Sequence, residues 1–237
     1  MALTREEAMR RLAVALDSSE RDEILRLART LARCVGVAKV GLEAFTAHGP
    51  ALVGEVQAVG MPVFLDLKLH DIPNTVERAA RNAARLGVAM LTVHASGGEA
   101  MLRAAVAGAA SAERPPAVLA VTVLTSLDDG ALGELGIPGG AAGRVTAWAA
   151  LAQRCGCAGV VCSPQEAAAL RSALGSDFVL VTPGVRPAGE RSGDQRRVAT
   201  PRDAIGAGAD LLVVGRPITG AADPLVAAEA ILAEMAS

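Results

Sequence analysis

Short apolar runs and helix-periodic stretches alternate along the whole 237-residue chain. Eight runs rich in Val, Leu and Ala span residues 12–17, 36–41, 62–69, 89–95, 117–125, 159–163, 178–185 and 211–218. Each is nearly continuous in apolar residues instead of alternating with polar ones. That is the pattern of parallel strands covered on both faces. Helical spacing fills the gaps. Ile24, Leu27, Ala28 and Leu31 follow i, i+3, i+4, i+7, as do Val76, Ala79, Ala80 and Ala83, which puts each set on one face. Ser19 to Asp22 resembles a capping box before the first of these helices. Asp223-Pro224 places a proline just inside a final helix, where its missing N–H costs nothing.

Eight such units leave about thirty residues for each strand–helix pair, the arithmetic of a closed (β/α)8 TIM barrel. The expectation is an α/β chain forming one barrel domain over residues 1–237. An open doubly wound sheet is the rival, but no G-x-G-x-x-G follows the first strand and no Walker A motif occurs. Two long loops stand out: residues 126–143 with six glycines, and the charged residues 186–197. Long loops in a compact domain are usually functional or mobile.

Composition narrows the function. Hydrophobic residues make up 51%, which excludes disorder. A net charge of −2 gives no basic footprint for nucleic acid and no polybasic membrane anchor. One tryptophan and no tyrosine leave little to stack on bases. No apolar run approaches the roughly 20 residues of a membrane span. The opening MALTREEAMRR has no apolar signal core, so a cytoplasmic protein is expected. Cys34, Cys155, Cys157 and Cys162 lack zinc-knuckle or redox spacing and read as small buried residues. His48, His70 and His94 offer no metal triad; His94 reads as a hydrogen-bonded core residue, the others as loop or surface positions.

One count changes the picture. Of 23 basic residues only Lys39 and Lys68 are lysines. An ammonium is compact and can release a proton, which a guanidinium effectively cannot. In a barrel the chemistry sits at the C-terminal ends of the strands. The polar residues that end the apolar runs are Asp17, Lys39, Asp66, Lys68, Asp71, His94, Thr125, Arg186 and Arg216. Asp66 and Lys68 are two apart on one strand, so both side chains leave the interior face. Charges buried there need partners, and Lys39 and Asp71 would complete an alternating network. Such a network can position a proton donor, or merely fix strand register. The loops after strands seven and eight of such barrels frequently bind phosphate. Here they supply Arg186, Gln195, Gly215 and Arg216, which read equally well as a phosphate clamp or as a solvated arginine beside an ordinary loop glycine.

Together these motifs resemble the orotidine 5′-phosphate decarboxylases of the compact bacterial type. The most specific element is D-x-K-x-x-D, present as Asp66, Lys68 and Asp71 and running on into Ile72-Pro73-Asn74-Thr75. Ala15-Leu16-Asp17, Lys39-Val40-Gly41, Thr92-Val93-His94-Ala95, Thr125-Ser126, Thr182-Pro183-Gly184-Val185-Arg186, Gly193-Asp194-Gln195 and Val214-Gly215-Arg216-Pro217 follow in order. The resemblance implies a cofactor-free lyase of pyrimidine (UMP) biosynthesis that converts orotidine 5′-monophosphate to uridine 5′-monophosphate. Lys68 would be the proton donor, partnered by Lys39, Asp66 and Asp71. Asp17 and Lys39 would hold the ribose, Thr125 the base, and Arg186, Gln195, Gly215 and Arg216 the phosphate, under a lid formed by residues 186–197. It also implies a homodimer in which Asp71 and Thr75 reach the neighbouring subunit's site. The alternatives are a magnesium-dependent decarboxylase of 3-keto sugar phosphates, whose metal-binding glutamate is replaced here by Lys39, and a non-catalytic phosphate-binding barrel.

Overall fold

The computed structural model describes residues 3–187 and 199–237. Eight parallel strands close into a barrel in chain order: β1 (Leu12–Ala15), β2 (Val37–Gly41), β3 (Val63–Leu69), β4 (Met90–His94), β5 (Ala117–Val121), β6 (Gly159–Val161), β7 (Val179–Pro183) and β8 (Leu211–Val214). β8 pairs back onto β1 through Leu12↔Leu212 and Val14↔Val214. The expected (β/α)8 barrel is therefore the observed one.

Every expected strand forms, but most stop short of the apolar run. The run over 117–125 ends as a strand at Val121, and that over 211–218 at Val214, where a short helix, Arg216–Thr219, takes over. Hydrophobicity reports burial, and Val123 and Val185 are buried in loops beyond the sheet. The loop expected over 126–143 is partly helical, with a helix at Asp129–Glu134 capped by Asp128 and another beginning at Gly140. Glycine density obscured both.

Side-chain parity builds the layers. Ala13, Ala15, Val37, Phe64, Leu119, Val181, Leu211 and Val213 fill the barrel interior. Residues of the opposite parity, such as Val14, Ala38 and Leu65, pack outward with Ile24, Leu27, Ala28 and Leu31 of the helix Arg21–Leu31. Helix Pro73–Arg85 buries Val76, Ala80 and Ala83 in the same manner. Gly159 is required where β6 meets β7: a Cβ there would lie 2.2 Å from the Val179 carbonyl oxygen.

The final helix starts as expected, with Pro224 in its first turn and Asp223 accepting from the Leu225 and Val226 amides. The Ser19 capping box does not form. Glu20 is the N-cap and makes no side-chain cap. Ser19 stands one position too early and its hydroxyl donates to Glu43 instead (3.1 Å). All four cysteines are buried. Burial, followed by the neighbouring Cys155, pushes the Cys157 thiol up to about 12, which fits a packing role. Trp148 packs against the core and lies 5.9 Å from the Arg144 guanidinium carbon. Among the described residues no helix is long and apolar enough to cross a membrane.

Candidate active site

At the C-terminal ends of the strands the barrel opens into a cavity of about 550 Å³, a size suited to a small ligand. Its floor continues the interior rows. Phe64 precedes Asp66 on β3, and Val37 precedes Lys39 on β2, so two charged side chains stand where the next apolar layer would be.

These charges form one chain. Lys39 Nζ lies 2.9 Å from Asp17 Oδ1 and 3.7 Å from Asp66 Oδ2, and Lys68 Nζ donates to the same Asp66 oxygen at 2.8 Å. The side chains of Lys39 and Asp66 are only 10% and 12% exposed, so the interaction is weakly screened. Burial alone would raise the Asp66 pKa. Lys39 and Lys68, with hydrogen bonds from Lys68 and Thr92, outweigh it and hold the carboxyl below its usual range.

Lys68 does not reach Asp66 by simple strand alternation. It has φ +50°, the only positive φ at a non-glycine among the described residues. The β3–β4 register runs from Leu65↔Leu91 to Leu69↔Val93, so β3 spends four residues where β4 spends two. Such a bulge re-aims a side chain. The Lys68 amide, off the ladder, donates to Thr92 Oγ1 at 2.9 Å, and that hydroxyl donates to Asp66 Oδ1 at 2.9 Å. The sequence reading gave Thr92 no role of its own. Its interior parity with Met90 and His94 was the available signal.

The other expected residues divide. Thr125, Arg186, Gly215 and Arg216 line the same cavity as Asp17, Lys39, Asp66 and Lys68. Arg186 is buried, and its Nη1 donates to the Val185 carbonyl at 2.9 Å. Glu43, Cys162 and Thr219 also line it and were not anticipated. Asp71 and Thr75 do not face it; both are exposed. Within this chain Asp71 forms no ion pair with Lys68, and its Oδ1 accepts from the adjacent Ile72 amide. Gln195 and most of the expected lid lie outside the described residues. His94 is not a hydrogen-bonded core residue: it is half-buried, with its ring 5.4 Å from that of exposed His70. Burial, then charge on His70 and Lys68, lowers its pKa against an opposing pull from Asp66. Among the described residues no three His, Cys, Asp or Glu side chains converge as a metal site.

Closed barrel and charged pocket together define a (β/α)8-barrel enzyme with its chemistry at the C-terminal strand ends. Residues 10–231 match the model of the "Orotidine 5′-phosphate decarboxylase / HUMPS family". The orotidine 5′-phosphate decarboxylase of Anaeromyxobacter dehalogenans is 56% identical over 94% of this chain and 97% of its own. That of Moorella thermoacetica is 54% identical over 98% and 95%. The crystal structure of the orotidine 5′-phosphate decarboxylase from Lactobacillus acidophilus superposes with a TM-score of 0.85 at 39% identity, covering 95% of this chain and 99% of that one. The chain belongs to the orotidine 5′-phosphate decarboxylase / HUMPS family, and it is a carboxy-lyase.

Proposed function

We propose that this chain decarboxylates orotidine 5′-monophosphate to uridine 5′-monophosphate without a cofactor, with Lys68 delivering the proton to C6. Relatives of that name, at 54–56% identity over almost the entire chain, support the substrate. The observation that carries the mechanism is the Lys68 ammonium, held 2.8 Å from Asp66 inside the cavity. The C6–carboxylate bond breaks, CO2 departs, and the electron pair stays on C6. A fixed ammonium stabilises that charge and then gives its proton to the carbon. Water re-protonates the amine. Asp66 supplies negative charge beside the departing carboxylate and orients the donor. Lys39 stands between Asp17 and Asp66, where its single positive charge is shared by both carboxylates, an ammonium in place of a metal ion.

Asp17 and Lys39 bind the ribose and Thr125 the base end. Arg186 and Arg216, with the Gly215 backbone and Gln195, hold the phosphate. Phosphate binding far from the reacting carbon supplies energy that can be spent at the reacting centre. Asp71 and Thr75 act in the site of a second copy within a homodimer. Supporting this, residues 70–75 are exposed as a block, including Ile72 at 67%, an apolar side chain that a partner would cover. The enzyme works in the cytoplasm.

The test is the ultraviolet absorbance change on mixing the protein with orotidine 5′-monophosphate in excess chelator. Turnover is expected. Activity abolished by chelator would favour the magnesium-dependent relative. Binding of uridine monophosphate with no release of CO2 would favour a phosphate-binding barrel.

A further inference from the structure

We infer that Thr92 is a positioning residue for the Lys68 ammonium, acting on the lysine at its backbone and at its tip. The inference rests on the proton-donor role proposed for Lys68. A hydroxyl has one proton and two lone pairs. The Lys68 amide can only donate, so Thr92 Oγ1 accepts from it (2.9 Å). The single hydroxyl proton then goes to Asp66 Oδ1 (2.9 Å). The other Asp66 oxygen, Oδ2, accepts from Lys68 Nζ (2.8 Å). The bonds close a ring: amide of residue 68, hydroxyl of 92, carboxylate of 66, ammonium of 68.

Three features give the ring its force. Lys68 sits at φ +50°, which side chains other than glycine and asparagine avoid, so its backbone must be held there. The bulge removes its N–H from the ladder, leaving Thr92 to satisfy it. Thr92 is completely buried, so no bulk water can replace the hydroxyl. Its β-branched side chain has a stiff χ1, which fixes where Asp66 presents its second oxygen. Removing the hydroxyl frees both the root and the anchor of the donor while leaving the charges in place.

The test compares Thr92→Val, which keeps the shape and removes the hydroxyl, with Thr92→Ser, which keeps the hydroxyl. Misplacing a reacting group by about 1 Å can cost about a hundredfold. Thr92→Val is therefore expected to lower kcat for orotidine 5′-monophosphate by about 10- to 100-fold, with KM and the affinity for uridine monophosphate changed less than about threefold. Its acid limb of kcat moves to higher pH, because Asp66 loses a bond that favours its ionised form. Thr92→Ser restores kcat and the pH profile. A valine variant with wild-type kcat and acid limb overturns the inference. So does a parallel fall in kcat and nucleotide affinity without rescue by serine. A readout free of mutants and of turnover is amide hydrogen exchange in the wild type. Lys68 is expected to be protected; exchange as fast as that of exposed His70 overturns the inference. Wild-type protein that leaves orotidine 5′-monophosphate untouched defeats the proposed function, and the Lys68 amide still decides the role of Thr92.

Discussion

Lys68 donates to Asp66 across 2.8 Å from a backbone that turns left-handed at Lys68 itself. A strained residue at a charged strand end is held there by its surroundings, and such strain clusters where function needs a fixed geometry. The contact also brings opposite charges together beside a cavity open to a ligand.

Lys68→Arg keeps the charge and removes the transferable proton. Uridine monophosphate binding should stay within about tenfold, while kcat falls by about a thousandfold, the contribution of a positioned general acid. Calorimetry and the absorbance assay read the two separately. Near-normal kcat in the variant would remove the proton-donor role.

Asp66→Asn leaves the buried Lys39 and the partly exposed Lys68 without their shared carboxylate. Breaking one member out of a buried ionic cluster costs about 3 kcal/mol or more, so urea midpoints at pH 7 should fall clearly. The pH dependence has a definite sign. The Asp66 pKa is depressed in the fold, so its stabilisation is complete above the ordinary carboxyl range and is lost only as pH falls through the folded value. The gap between wild type and Asp66→Asn should stay flat from pH 8 to about 5 and narrow below about 4. A gap that widens in acid would contradict the assignment.

Much of this was legible from the chain alone. The eight apolar runs gave the barrel, because both faces of each strand are covered and the pattern is continuous. Asp66 and Lys68 announced themselves by placing charge at an interior position. Their contact arises differently from the expected alternation, through a bulge between Leu65 and Leu69 that no period-two pattern encodes. Thr92 was silent because one threonine inside an apolar run looks like any β-branched strand residue. Asp71 and Thr75 could not be placed by one chain's topology: their stretch turns outward, away from this chain's own cavity. Ser19 misled because a capping motif is read relative to a helix start, and that start lies one residue further on.

Arg216 lies in the short helix after β8 and lines the cavity with Arg186. If it clamps a phosphate, Arg216→Ala should reduce kcat/KM for orotidine 5′-monophosphate by about a hundredfold, equivalent to about 3 kcal/mol of barrier. Decarboxylation of orotidine, which lacks the phosphate, should change little. Equal losses on both substrates would contradict the clamp.

Gly41 offers the sharpest separation of folding from function. Its backbone, at φ −95° and ψ −172°, is extended and open to alanine. Replacing glycine where the backbone permits it restricts the unfolded chain and is neutral or slightly stabilising. Yet a Cβ there would stand 2.6 Å from Asp17 Oδ1 and 2.9 Å from Lys39 Nζ, inside their ion pair. Both atoms are side-chain tips, so they can move aside and the barrel survives. The pair cannot keep its geometry. Gly41→Ala should therefore hold Tm within about 3 °C of wild type, while KM for orotidine 5′-monophosphate rises by about tenfold or more as the ribose contacts shift. An unchanged KM would show that the Asp17–Lys39 pair is not part of the substrate's seat. A large drop in Tm would show that the pair holds the fold together and does more than line its mouth.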